Sequence, residues 1–242
     1  MPVNLPIALH ICNIWRKQMK KIYIYPSILS ADFANLGKEV KLLKEAGASG
    51  LHVDIMDGHF VKNISLGVPV VESLQGCGLA LDVHLMLTNP LNFIEMFAKT
   101  GANSLTFHVE CFDNLEECIL RAKNFGCKVG LALKPFTSVD AVEPFLTKPK
   151  FAGLVDLIVV MTVEPGFAGQ VFKESMLLKV EQIRKLSSSI HIAVDGGVNF
   201  KNAGRVVAAG ADWLVAGSTI FNSSSYAVAL QKLKFGSSSV DE

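Results

Sequence analysis

Several features that identify a binding partner or a membrane protein are scarce in this chain of 242 residues. Its 23 basic and 22 acidic residues nearly cancel, and they form no basic patch and no long run of one charge. This balance argues against a nucleic acid or a membrane surface as the partner. No apolar stretch reaches the roughly 20 residues that a membrane-spanning helix needs.

Cysteine is also sparse, and none of the five cysteines forms a CxxC pair. An odd number without such a pair favours reduced thiols in a cytoplasmic protein. The five are Cys12, Cys77, Cys111, Cys118 and Cys127.

The two ends of the chain differ from the rest. Residues 1–19 have an apolar part whose basic residues follow it, which is the reverse of a secretory signal. We expect an N-terminal extension outside the folded domain, and an organellar transit segment is the alternative that it leaves open. Residues 236–242, with the sequence GSSSVDE, are expected to form a frayed C-terminal tail.

Between these ends, apolar strand-like runs alternate with stretches of helical spacing. Glycines follow several of the predicted helices, as expected at helix C-termini: Gly47, Gly101, Gly126 and Gly210. The eight predicted strands are 22–29, 50–57, 80–87, 104–110, 128–135, 155–163, 190–197 and 212–218. Strands rich in Val, Ile and Leu are typical of a parallel sheet covered on both faces.

This alternation predicts the α/β class and a (β/α)8 TIM barrel, in one catalytic domain over residues 20–235. A doubly wound open sheet is the second choice. The dinucleotide fingerprint GxGxxG is absent after the first strand, which counts against that fold and against a nucleotide cofactor.

Polar residues cluster where the predicted strands end. His52 and Asp54 share one face of the second strand, His84 lies on the third, and Asp195 ends the seventh. Two imidazoles and two carboxylates on one rim would suit a divalent metal such as Zn, Fe, Mn or Co better than Ca. Spacing alone leaves buried core histidines and helix-capping aspartates as an equal alternative.

Three glycine-containing loops follow the sixth, seventh and eighth strands. They are VEPGFAGQ (163–170), DGG (195–197) and AGS (216–218). Glycine lets backbone N–H groups approach an anion, and phosphate sites of barrels often use the last loops. Any one of these loops alone would be read as an ordinary turn, but three together favour phosphate.

Several motifs resemble the ribulose-phosphate 3-epimerase family, over roughly residues 22–233 and in the family's order. They are SILSADF (27–33), HVDIMDGHFV (52–61), DVHLM (82–86), MTVEPGFAGQ (161–170), VDGGVN (194–199) and VAGSTIF (215–221). The resemblance implies an isomerase that interconverts D-ribulose 5-phosphate and D-xylulose 5-phosphate in the pentose phosphate and Calvin pathways. It also implies one divalent metal ion and a homo-oligomer, either a dimer or a hexamer.

The resemblance further assigns roles to individual residues. Asp54 and Asp195 would be the acid/base pair, on strands five apart around the barrel, and would hold the metal together with His52 and His84. Met56, Met86 and Met161 would line the space around the metal. The substrate would contact Ser27, His52, His84, Gly166, Phe167, Ala168, Gly169, Asp195, Gly196, Gly197, Gly217 and Ser218.

Two residues depart from the family pattern. Lys62 stands where the family usually has proline, and Ala168 replaces a more usual glycine. A loop with alanine resembles allulose-6-phosphate 3-epimerase, which is an alternative function, although that family is expected to have DGS where this chain has DGG. A phosphate-binding barrel of another class, such as a lyase or synthase of tryptophan or thiamine biosynthesis, is a further alternative, as is a sugar-phosphate-binding protein without activity.

Overall fold

The computed structural model describes residues 21–235, and in this range eight strands alternate with helices. The predicted extension (1–19) and tail (236–242) lie outside the described residues. The strands are β1 (Tyr23–Pro26), β2 (Gly50–Met56), β3 (Ala80–Met86), β4 (Ser104–His108), β5 (Lys128–Leu133), β6 (Leu157–Met161), β7 (His191–Asp195) and β8 (Trp213–Ala216). All eight predicted strands are therefore confirmed, each somewhat shorter than predicted.

The strands form one parallel sheet in the order β1-β8-β7-β6-β5-β4-β3-β2. A parallel backbone bridge between Ser27 and His52 joins the two ends of this order, so the sheet closes into a barrel. The predicted TIM barrel is confirmed. Closure also changes one expectation, because β2 and β7 lie only three strands apart by way of β1 and β8.

Helices surround the barrel, most of them with an apolar side towards the strands. Those in the described range are α1 (Leu36–Glu45), α2 (Val68–Ser73), α3 (Ile94–Lys99), α4 (Leu115–Asn124), α5 (Glu143–Thr147), α6 (Leu177–Leu186), α7 (Ala203–Ala208), α8 (Ser218–Phe221) and α9 (Tyr226–Phe235). Sequence spacing did not predict the short helices α2 and α8. The four glycines expected at helix ends all have positive φ, as the left-handed position requires.

Strand residues alternate between two separate environments, as the pleat requires. Leu51, Val53 and Ile55 of β2 point outward and join the main core, which also includes Val40 and Leu43 of α1. His52 and Asp54 point into the barrel interior, where both are buried. The fold thus places the polar face of β2 inside the barrel.

Candidate active site

Four side chains on three strands converge inside the barrel near the C-terminal ends of its strands. His52 and Asp54 come from β2, His84 from β3 and Asp195 from the end of β7. One potential ligand atom from each lies within 4.8 Å of the others. The structure therefore brings together all four residues predicted as metal ligands.

The two imidazoles lie at equal distances from the two carboxylates. His52 Nε2 lies 3.3 Å from Asp54 Oδ1 and 3.6 Å from Asp195 Oδ2. His84 Nδ1 lies at the same two distances from the same two oxygens. One nitrogen of each ring and one oxygen of each carboxylate thus face a common point. Asp54 and His84 are direct register partners on adjacent strands, which fixes their approach.

The two histidines and the two aspartates of this cluster shift one another's pKa values. Burial acts to lower the pKa of His52 and His84, but Asp54 and Asp195 outweigh it, so both pKa values are raised. Burial likewise acts to raise the pKa of Asp54 and of Asp195, but the two histidines outweigh it and lower both. The two carboxylates carry negative charge that either two imidazolium protons or one divalent cation would balance.

The donor set fits a divalent metal ion. Two imidazole nitrogens and two carboxylate oxygens suit Zn, Fe, Mn or Co. His52 also has the support expected of a metal ligand, because its Nδ1 lies 2.7 Å from Asp82 Oδ2. A carboxylate on the far nitrogen holds a proton there and leaves Nε2 with its lone pair. Ser104 Oγ donates to the other oxygen of Asp82 at 2.6 Å, which holds that carboxylate in place.

Sequence reasoning did not assign this role to Asp82. Asp82 falls within the predicted third strand, two residues before His84, but strand alternation alone does not reveal its partner. The signal is in the register, since Asp82 stands directly opposite His52 in the β2–β3 pair. Ser27, predicted as a substrate contact, donates its hydroxyl to Asp54 Oδ2 at 2.6 Å.

A cleft opens above these four side chains. His52 and His84 are fully buried beneath it, whereas Asp54 and Asp195 reach its wall. Every other residue predicted for the site lines this cleft: Ser27, Met56, Met86, Met161, Gly166, Phe167, Ala168, Gly169, Gly196, Gly197, Gly217 and Ser218. Polar side chains that sequence reasoning missed also line it, namely Ser30, Glu164, Gln170, Asn199 and Thr219.

The loops after β6 and β7 approach each other closely at one glycine. Gly197 has φ +67°, and a Cβ there would lie 2.8 Å from the carbonyl oxygen of Gln170 and 2.9 Å from the nitrogen of Phe172. Only glycine meets both demands. The loop after β6 is also tied to the loop after β2, because Asn63 Nδ2 donates to the carbonyl of Gly166 at 2.7 Å. These contacts give the cleft a wall built from backbone.

Comparison with known proteins agrees with this geometry. The family model described as the ribulose-phosphate 3 epimerase family matches residues 23–221. The cytoplasmic isoform of ribulose-phosphate 3-epimerase from Oryza sativa subsp. japonica is 46% identical over 82% of this chain and 86% of its own length.

The chain belongs to the ribulose-phosphate 3-epimerase family.

A second relative shows that this family is found in more than one compartment. The chloroplastic ribulose-5-phosphate-3-epimerase of Arabidopsis thaliana is 42% identical, over 88% of this chain and 76% of its own length. Among solved structures, a tryptophan synthase structure from Mycobacterium tuberculosis superposes with a TM-score of 0.65. The superposition covers 94% of this chain and 98% of the tryptophan synthase chain. Their sequences are 13% identical, so this likeness concerns the fold alone.

Proposed function

We propose that this member of the ribulose-phosphate 3-epimerase family interconverts D-ribulose 5-phosphate and D-xylulose 5-phosphate by moving a proton at C3. The observation that carries the proposal is the position of Asp54 and Asp195. Their carboxylates come from β2 and β7, three strands apart around the closed barrel, share the contacts of two histidines and reach one cleft. Epimerisation next to a ketone needs a base on one side of the carbon and an acid on the other.

In one direction, Asp54 would remove the C3 proton and Asp195 would return a proton to the opposite face. In the reverse direction the two roles would exchange. Ser27 would keep Asp54 in place through its 2.6 Å hydrogen bond. Removal of the proton leaves an enediolate, whose negative charge must be stabilised on the C2 and C3 oxygens.

His52, Asp54, His84 and Asp195 would hold the divalent metal ion of this enzyme. When bound, such an ion supplies Lewis-acid stabilisation of the negative charge that develops on the substrate oxygens. The surrounding wall suits this chemistry, because Met56, Met86 and Met161 line the cleft without an exchangeable proton.

The phosphate group of the substrate would lie against the backbone of the glycine loops. Gly196 and Gly197 follow β7, and Gly217 precedes the short helix α8. Backbone N–H groups in such loops bind phosphate without a lysine. Ala168 lines the same cleft, on the loop after β6.

A coupled assay of D-ribulose 5-phosphate conversion tests the proposal, with D-allulose 6-phosphate as the competing substrate and with chelator-treated enzyme beside the metal-loaded enzyme. We expect rapid pentulose turnover that falls on chelation and returns with added Zn²⁺ or Mn²⁺. A preference for D-allulose 6-phosphate would indicate the same chemistry on a different substrate, as in allulose-6-phosphate 3-epimerase. Absence of turnover of both substrates in metal-loaded protein would reject an epimerase altogether.

We also propose a homo-oligomer, a dimer or a hexamer, in the cytoplasm. Exposed aromatic side chains such as Phe112 and Phe136, 83% and 89% exposed, support association of copies. No helix in residues 21–235 is long and apolar enough to cross a membrane. Light scattering after size exclusion would measure the assembly, and a fluorescent fusion to the C-terminus would locate the protein. A monomer would contradict the proposed homo-oligomer, and fluorescence in an organelle would contradict the cytoplasmic location.

A further inference from the structure

Two further polar side chains are linked to His84, one directly and the other through the first, and take no part in the chemistry proposed above. His108, at the end of β4, is fully buried, and its Nε2 lies 2.9 Å from His84 Nε2. The Nδ1 of His108 lies 3.1 Å from Oε2 of Glu110, in the loop that follows the strand. This chain of contacts, Glu110 to His108 to His84, is called here the Glu110 relay.

Glu110 is held firmly at the far end of the relay. Its other oxygen, Oε1, accepts the backbone N–H of Lys134 at 2.9 Å and also the hydroxyl of Thr137. Burial acts to raise the pKa of Glu110, but the hydrogen bonds from His108, Thr137 and Lys134 outweigh it and lower the pKa to about 2. The ionised carboxylate only accepts, so the nitrogen of His108 that faces it must carry a proton.

His108 passes this constraint on to His84. The ring of His108 is fully buried, which favours its neutral form with one proton, and the contact with the carboxylate of Glu110 keeps that proton on Nδ1. The Nε2 of His108 then has a lone pair and accepts. Because one hydrogen bridges the two nitrogens 2.9 Å apart, His84 must supply it from its own Nε2.

We infer that the Glu110 relay sets the tautomer of His84, with a proton on Nε2 and a lone pair available at Nδ1. Nδ1 is the atom that faces Asp54 and Asp195. Glu110 and His108 are therefore positioning residues that act through His84. The consequence for metal affinity rests on the metal site of the proposed function, whereas the direction of the hydrogen bonds does not.

Replacing the carboxylate by an amide should reverse the relay. In Glu110→Gln, the amide oxygen is needed by the N–H of Lys134 and the hydroxyl of Thr137, so its NH₂ group faces His108. His108 must then accept at Nδ1 and carry its proton on Nε2. His84 Nε2 becomes the acceptor, and the remaining proton of His84 moves to Nδ1, where it competes with the metal.

The experiment measures two quantities on the full-length protein. Zn²⁺ affinity is determined by competition with a chelator, and the tautomer of His108 is read from imidazole ¹⁵N NMR. We expect Glu110→Gln to weaken Zn²⁺ binding about 10–100-fold, the usual effect of losing such support, and to move the His108 proton from Nδ1 to Nε2.

Matched variants separate the relay from packing. His108→Gln keeps an acceptor near His84 Nε2 and should retain Zn²⁺ affinity within an order of magnitude of the wild type. His108→Leu removes the acceptor and should weaken affinity as Glu110→Gln does. Glu116→Gln is the control, because Glu116 is an exposed carboxylate on α4 that pairs with Lys150. Thermal unfolding would verify that every variant is folded.

Two results would overturn the inference. One is wild-type Zn²⁺ affinity in Glu110→Gln with the His108 proton still on Nδ1. The other is weakened affinity with that proton unmoved, since Glu110 would then act by packing alone. Failure of the wild-type protein to bind Zn²⁺ would count against the proposed metal site only, because the NMR measurement would still decide the direction of the relay.

Discussion

The interior of this barrel consists of two unlike halves. The polar half comprises the polar inward side chains of β2, β3 and β4, all at most 5% exposed: His52, Asp54, Asp82, His84, Ser104, Thr106 and His108. The apolar half comprises the inward side chains of β1 and β5–β8: Tyr25, Ala132, Leu157, Val159, Met161, Ala193, Trp213 and Val215. The side chains of both halves are buried, but different interactions stabilise them.

The apolar half follows the usual rule for such barrels, whose interiors are packed by bulky side chains. Its core gains free energy from removing apolar surface from water. In the polar half, burial removes water from charged groups, which costs free energy. Hydrogen bonds and ion pairs offset this cost only where each group finds a partner. Asp82, which accepts a hydrogen bond from Ser104, contacts His52, and the Glu110 relay reaches His84. The site therefore exists because three adjacent strands give up apolar packing.

Asp195 is the exception that joins the two halves. It ends β7, in the apolar half, yet its carboxylate contacts both His52 and His84. It is also more exposed than the polar residues below it, with 13% of its side chain accessible. The reaction is expected where the halves meet.

The largest effect is expected at that junction. Asp195→Asn removes a proton-transfer group and should reduce epimerase activity about 10²–10⁴-fold, the usual contribution of positioned acid–base catalysis. The coupled assay measures it, together with exchange of the substrate C3 hydrogen with solvent. Asp140→Asn, at an exposed carboxylate outside the cleft, is the control. Near-wild-type activity of Asp195→Asn would contradict the proposed role.

The apolar half should respond in stability instead. Leu157→Ala removes a 2% exposed side chain of β6 and should lower the free energy of unfolding by about 2–5 kcal/mol. Urea denaturation measures it, with Leu178→Ala at a 62% exposed position as the control. Zn²⁺ affinity should stay unchanged, and a parallel loss of affinity would show that the halves are not independent.

Metal loading should stabilise the protein through the ligands of the polar half together with Asp195. Zn²⁺ at about 100 times its dissociation constant should add about 2.7 kcal/mol, by mass action. Thermal unfolding with Zn²⁺ and with excess chelator measures the shift. It should persist in Leu157→Ala and shrink in Asp195→Asn. Equal shifts in both variants would place the binding elsewhere.

The smallest effect tests whether the polar half is fully paired. Thr106 Oγ1, on β4, is one of three buried side-chain polar atoms without a hydrogen-bond partner among the described residues. Thr106→Val keeps the shape and removes this hydroxyl, so it should stabilise the fold by about 1 kcal/mol. Ser104→Ala is the opposite control, because it removes the donor to Asp82 and should destabilise. Destabilisation by Thr106→Val would indicate a partner for that hydroxyl.

The sequence predicted which strand face the polar residues occupy, but it did not predict their hydrogen-bond partners. Alternation in LHVDIM placed His52 and Asp54 on one strand face, because a period of two is a local property of the chain. The partners of these residues depend on register and closure. The bond from Asp82 to His52 needs the β2–β3 register, and the anchor of Glu110 needs the amide of Lys134 from the end of β5.

Strand ends were also beyond the reach of local patterns. Residues 104–110 were predicted as one strand, but β4 ends at His108, and Glu110 turns back to contact it from the following loop. A continued strand would also have pointed Glu110 inward, two residues further along the rim. The loop instead brings the carboxylate to the side of the imidazole, which no periodicity encodes.

The bridge between Ser27 and His52 has a consequence for synthesis. Ser27 follows β1, whose registered neighbour is β8, so the strand made first is held by the strand made last. A chain still emerging from the ribosome can pair β2 with β3, but β1 lacks its registered partner strand until β8 appears. Truncated or unfinished chains would therefore remain inert, and the cell would gain activity only with the completed barrel.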